Sequence, residues 1–130
     1  MTQEFTIQQM SFETGLTSYT LRYYEKIGLI LDVPRAGSSH RRYDASHLEW
    51  IRFLKQLKAT GMPLADMKTF AQLRREGPSS AKQRRQMLEN HRRVMLLQMN
   101  QLQDSLDVVE MKIERHKKTE SKLGHPNLSN

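Results

Sequence analysis

The sequence predicts an all-α protein carrying a small β-wing. Three observations lead there. Two short amphipathic segments meet at a tight turn around Gly15, which is the pattern of a helix-turn-helix. A basic, turn-rich stretch follows, with Arg35 on one arm and Arg41 and Arg42 on the other, which reads as a hairpin wing. Apolar residues from Leu88 to Ile113 then recur at alternating spacings of four and three, the seam of a coiled coil.

Taken in order, Thr6-Ile7-Gln8-Gln9 has the form of a capping box, with Thr6 as the cap and Gln9 reaching back to it. Ile7, Met10 and Phe12 offer apolar contacts, and Gly15 stops the first helix. Thr17 or Ser18 caps a second helix that runs to about Ile27, where Gly28 stops it. Val33–Arg35 and Arg41–Tyr43 are read as the two arms of the wing, joined by the loop cluster Ala36-Gly37-Ser38-Ser39. Pro34 confines its arm to an edge position. Asp44 caps a third helix to about Thr60, whose core face is Leu48, Ile51, Leu54 and Leu57 with Trp50 and Phe53 beside it. Gly61 ends it, and Pro63 suits the first position of a fourth helix with the face Leu64, Met67, Phe70, Ala71 and Leu73. Gly77-Pro78 breaks the chain.

From Ser79 the seam takes over, through Leu88, Arg92, Met95, Met99, Leu102, Leu106, Val109 and Ile113. A helix over 88–113 is about 39 Å long at ~1.5 Å per residue. Polar residues surround the seam, so it needs a second chain to cover it. The expected organisation is a DNA-binding domain over 1–77, a dimerisation helix over 79–118 and a flexible polar tail over 119–130.

Bulk composition agrees with an elongated protein that binds a polyanion. The chain has 130 residues, a low hydrophobic fraction of 37% and a formal net charge of +7. Its isoelectric point is about 9.9 and its mean hydropathy −0.73. Such a balance favours nucleic acid as partner over a membrane surface. Cysteine is absent, which excludes disulfides, thiolate metal sites and thiol redox sensing within the chain. The five histidines show no ligand spacing, so neither a metal nor another cofactor is expected. A polar start and the lack of a long apolar run argue against a signal peptide or membrane span, and make the cytoplasm the default location.

The candidate binding residues lie where this chemistry concentrates. Thr17, Ser18, Tyr19, Arg22, Tyr23 and Tyr24 put hydroxyls, phenols and a guanidinium on one short helix, the groups that bond phosphates and base edges. One of Tyr23 and Tyr24 is expected in the core and the other on DNA. Arg22 either reaches the groove or pairs with an acid such as Glu25. Arg35, Arg41 and Arg42 supply the wing. Neighbouring strand residues point to opposite faces, so one of Arg41 and Arg42 reaches phosphate, and Arg41 is favoured. Trp50 reads first as a core residue.

Three stretches together carry a specific resemblance. They are Thr20-Leu21-Arg22-Tyr23-Tyr24-Glu25-Lys26-Ile27-Gly28-Leu29, Arg41-Arg42-Tyr43-Asp44 and Leu57-Lys58-Ala59-Thr60-Gly61-Met62-Pro63-Leu64. In that order they resemble the MerR family of bacterial transcription regulators over essentially the whole chain. The resemblance implies a winged helix-turn-helix DNA-binding domain followed by a long antiparallel coiled-coil dimerisation helix. It implies a homodimer on a pseudo-palindromic operator within an over-long promoter spacer. Bending and untwisting that DNA would realign the promoter for RNA polymerase, an indirect partner.

Matched positions give Ser18, Tyr19 and Arg22 to the major groove, and Tyr23, Tyr24 and Lys58 to a backbone clamp near the operator centre. Arg41 matches a phosphate contact in the wing. Residues 48–63, through Leu48-Glu49-Trp50-Ile51 and Leu54-Lys55-Gln56-Leu57, are most similar to the small AdhR- and NmlR-like regulators. That group often carries a cysteine where this chain has Gln56, and the metal-sensing branch uses cysteines near the dimer helix; this chain has neither.

A candidate effector pocket for a small-molecule inducer is expected where the third and fourth helices meet the partner's long helix, near Trp50, Phe53 and Phe70. An architectural or excisionase-like DNA-binding factor is the alternative function. An enzyme is not expected, because no nucleophile–base set, phosphate-cradling loop or convergent acid–base pair is visible.

Overall fold

The first helix, α1 (Ile7–Thr14), begins where Thr6 accepts the Gln9 amide and the Gln9 side chain accepts the Thr6 amide, so both capping bonds form. In the computed structural model, which describes residues 3–31, 33–35, 37 and 40–124, it ends at Gly15. There φ is +74°, a left-handed conformation that favours glycine. The Thr14 hydroxyl donates back to the Met10 carbonyl at 2.7 Å, and the Lys55 ammonium donates to the Thr14 carbonyl, so the helix end is satisfied.

Helix α2 (Ser18–Lys26) is capped by Thr17, whose Oγ1 accepts the Thr20 amide at 3.0 Å. Past its end, Gly28 turns the chain at φ +85°, so the Leu29 amide can reach the Tyr24 carbonyl at 2.8 Å. That turn delivers Leu29 and Ile30 into the core.

The wing departs from expectation. Among the described residues its arms meet at one isolated antiparallel bridge, Arg35 to Arg41, with the Arg42 amide donating to the Pro34 carbonyl at 2.9 Å. Tyr43 does not pair with the first arm. Instead β2 (Tyr43–Asp44) pairs antiparallel with β1 (Glu4–Phe5), with Phe5 opposite Tyr43. Pro34 has no amide hydrogen to extend a ladder, whereas the Phe5–Tyr43 pairing buries both rings. Part of the expected tip cluster, Ala36, Ser38 and Ser39, lies outside the described residues.

Asp44 opens α3 (Ala45–Ala59) by accepting the Ser46 and His47 amides, while Nδ1 of His47 accepts the Asp44 amide. Helix α4 (Leu64–Arg75) begins one residue later than expected: Pro63 is its N-cap, with extended ψ of 149°. A short 3-10 turn (Gly77–Ser80) leads into α5 (Ala81–Gly124). Helix α5 passes the expected end at 118, so residues 119–124 are helical, and the remainder of the expected tail, 125–130, lies outside the described residues.

The chain divides into two units, residues 1–89 and 90–130. The first holds one core, built on Met10, Leu21, Tyr24, Leu29, Tyr43, Trp50, Ile51, Leu54 and Met67, with Met87 of α5 packed against it. Phe12 and Leu64, expected to pack, are solvent-exposed instead. They flank true core positions in sequence but fall off the buried stripe of their helices. The described part of the second unit is the stretch of α5 from Asn90 to Gly124, with no core of its own among the described residues. No helix among the described residues is long and apolar enough to cross a membrane.

Candidate nucleic-acid interface

Helix α2 shows one buried and one exposed face. Leu21 and Tyr24 anchor it in the core, which turns Tyr19, Arg22 and Tyr23 outward. Tyr19 is 76% exposed and Tyr23 42%, so the sequence's two-way reading of Tyr23 and Tyr24 resolves: Tyr24 is the core member. Its ring centroid lies 6.3 Å from that of Tyr23, and its hydroxyl accepts from the Lys58 ammonium at 3.5 Å. The structure thus gathers Tyr23, Tyr24 and Lys58 at one place. Thr17 keeps its hydroxyl in the cap, and Ser18 is half-buried at the first position of the helix.

Glu25 decides how the wing meets this helix. Its carboxylate accepts from Nε of Arg41 and from the Tyr43 hydroxyl, the latter at 3.0 Å. Tyr43 is fully buried. Burial first, then the Glu25 charge, pushes its phenol well above the ordinary tyrosine range, so it stays a donor at any physiological pH. With Glu25 engaged there, no carboxylate pairs with Arg22 among the described residues. Arg22, Arg41 and Arg42 instead line one groove with Thr6, Gln8 and His40, enclosing about 470 Å³.

Arg41 and Arg42 both line this groove, although neighbouring strand residues are expected on opposite faces. Among the described residues the arms of the wing share an isolated bridge rather than a ladder. Arg35 does not line that groove. Three cations beside the first turn of α1 make a site suited to a phosphate. His40, Gln8 and the clip formed by Glu25 and Tyr43 are not marked as site residues by the sequence. Only the proximity of α1, α2 and the wing assembles them, and no local pattern signals it.

The other residue sets are also placed. Trp50, Phe53 and Phe70 form one aromatic cluster: the Trp50 and Phe70 rings stack at 5.9 Å and 10°. Trp50 is nonetheless a core residue, with its indole N–H donating to the Leu29 carbonyl at 2.7 Å. Leu88, Met95, Met99, Leu102, Leu106, Val109 and Ile113 are all exposed on α5, as are Leu96, Leu97, Val108 and Met111, so the apolar surface is wider than the seam. Among the described residues no group of three or more His, Asp or Glu is placed to hold a metal ion.

The family model for MerR HTH family regulatory proteins matches residues 5–73, and a second, described as MerR, DNA binding, matches residues 48–111. An uncharacterized HTH-type transcriptional regulator of Haemophilus influenzae is 32% identical over 117 residues, 90% of this chain and 87% of that protein. The HTH-type transcriptional regulator AdhR of Bacillus subtilis is 34% identical over 90 residues, 69% of this chain and 64% of AdhR. The crystal structure of HiNmlR, a MerR family regulator lacking the sensor domain and bound to promoter DNA, is similar at 33% identity. It covers 93% of this chain and 94% of that one, with a TM-score of 0.82. The likeness to AdhR and HiNmlR agrees with the subgroup expected from residues 48–63.

Proposed function

Since the chain belongs to the MerR family of helix-turn-helix transcription regulators, we propose that it binds a pseudo-palindromic promoter operator as a homodimer and deforms the DNA to control initiation. It is a DNA-binding transcription regulator and not an enzyme. In this reading residues 1–77 are the DNA-binding domain and 79–118 the dimerisation helix. HiNmlR, a relative of nearly the same length, was crystallised on promoter DNA, and the same class of target is proposed here.

The observation that carries the reading is the convergence of Arg22, Arg41 and Arg42 on one groove beside the outward face of α2. Tyr19 and Arg22 enter the major groove with Ser18 and read base edges. Arg41, Arg42 and Arg35 hold phosphates on the flank, with Thr17 fixing the helix start that presents them. Tyr23, Tyr24 and Lys58 clamp the backbone near the operator centre. Two such units, coupled through the seam from Leu88 to Ile113, hold both half-sites at fixed spacing. Antiparallel pairing of α5 covers apolar side chains that one chain leaves in water. Binding energy from the two half-sites offsets the cost of bending and untwisting the spacer, which realigns the promoter for RNA polymerase. A small-molecule inducer would act by favouring one of the DNA shapes.

The test is operator selection from random duplexes, followed by titrations at several salt concentrations. Arg22→Ala should lose about 1–3 kcal/mol of discrimination at one base position per half-site. Binding by the parent protein that is flat in salt would refute the phosphate-based interface. In vitro transcription from a long-spacer promoter separates a regulator from an architectural factor, because the latter bends DNA without changing transcript yield.

A further inference from the structure

We propose that the cleft between α3, α4 and the start of α5 binds a small aromatic carboxylate. The cleft is lined by Ser46, Glu49, Trp50, Phe53, Phe70, Arg74 and Arg84, all within the first unit, and encloses about 260 Å³. Its apolar wall is the stacked Trp50–Phe70 pair with Phe53 against both rings. Its charge comes from two guanidinia set against a single carboxylate, Glu49.

The two arginines differ in a way that suits recognition. Arg84 is fixed before any ligand arrives: its Nε donates to the Ser80 hydroxyl at 3.0 Å and one terminal nitrogen donates to the Gly77 carbonyl at 3.0 Å. Ser80 is fully buried and its one hydroxyl hydrogen lies between the Leu73 and Gly77 carbonyls, which holds the mount in place. Arg74 is exposed and rests on the Trp50 ring, 4.4 Å from ring centre to guanidinium carbon. A cation on an aromatic face is a weak, reversible contact. A flat ring can take that place against the indole while Arg74 turns to the ligand's carboxylate.

A guanidinium pair with a flat apolar wall selects a planar organic anion, because the charged fork matches a carboxylate and the rings match its π-face. The volume falls just below the ~300–1,000 Å³ of drug-sized sites, so the occupant has one ring rather than several. Occupancy would bear on α4 and the first turns of α5. That this tunes transcription rests on the regulator reading above; that the anion binds does not.

Trp50 is the sole tryptophan, so its emission reports occupancy directly. Benzoate, benzamide and benzylamine are titrated against the full-length protein while emission is recorded. Benzoate should give a saturable change, with benzamide at least about tenfold weaker through loss of the charge-assisted bonds. Benzylamine should be weaker still. Arg74→Gln, an exposed substitution, should weaken benzoate about tenfold and leave circular dichroism unchanged. Arg84→Lys keeps the charge but not the fork, and should erase the preference for benzoate over benzamide. No saturable response to benzoate, or equal affinity for the amide, overturns the site. Operator affinity is measured in the same samples. Benzoate binding with unchanged operator affinity keeps the site and overturns its regulatory consequence. Failure of the protein to bind any operator overturns the regulator reading alone.

Discussion

Removing the Glu25 carboxylate should loosen the wing from α2 by a predictable amount. Glu25→Ala strips Tyr43 of its acceptor at 3.0 Å. Tyr43 is fully buried in the parent, so its hydroxyl loses its acceptor there. An orphaned buried donor costs about 1–3 kcal/mol. The same substitution removes the Arg41 ion pair, whose side chains are 20% and 17% exposed. A partly screened pair of this kind adds about 1 kcal/mol or less. The expected loss is therefore about 1–4 kcal/mol, a large part of a small domain's stability.

Tyr43→Phe removes the donor along with its need for a partner. Glu25→Ala should then cost about 1–2 kcal/mol less in the Phe background than in the parent. Urea unfolding followed by Trp50 emission, at one fixed protein concentration, measures all four corners of the cycle. Identical costs for Glu25→Ala in both backgrounds would show that the phenol is not held by Glu25, and the clip would fail as an explanation of the wing's position.

Further outcomes follow from the proposed roles. Leu102→Lys paired with Leu106→Lys should convert a homodimer to monomer by sedimentation or light scattering, with helix content of the first unit retained; an unchanged mass would place the dimer contact elsewhere. Lys58→Ala should weaken operator binding evenly across sequences and reduce the salt slope by about one counterion, whereas a change confined to one base position would assign Lys58 to readout. The Ser46 hydroxyl bond, joined by the amides of Ser46 and His47, holds the Asp44 carboxyl below its ordinary range. A depressed carboxyl stabilises the fold above its unfolded value and loses that contribution as pH falls, so the parent should lose stability below about pH 4. Asp44→Asn should be less stable at neutral pH and show a flatter acid limb; parallel limbs would argue against the cap as the titrating group.

Helix starts and stops were legible because their signals are local. Thr6 with Gln9, Thr17, Asp44, Gly15 and Gly28 each act within a few residues of themselves, and the structure uses all of them. The pairing of Glu4–Phe5 with Tyr43–Asp44 was not legible. Two-residue strands carry no alternation to read, and their partnership spans the whole helix-turn-helix. The same nonlocality hid the Glu25 clip, since Glu25 is nearer in sequence to Arg22 than to Arg41. Arg74 over Trp50 joins two helices that the sequence could assign separately but not dock. At Phe12 and Leu64 hydrophobicity alone misled, because position around the helix decides burial. Trp50 was legible as core, while the polar rim of its cleft was not.

The exposed apolar residues of α5, from Val94 to Ile113, all lie later in the chain than the core of the first unit. A ribosome adding ~5–20 residues per second completes that core before the stripe leaves the exit tunnel. The surface most prone to faulty association is thus made after the core of the first unit, which can already be folded when it appears. A nascent chain is then sticky for seconds rather than throughout its synthesis. In the proposed homodimer, how fast the stripe is hidden afterwards depends on the supply of finished copies nearby, so low expression prolongs the vulnerable interval and clustered translation on one messenger shortens it.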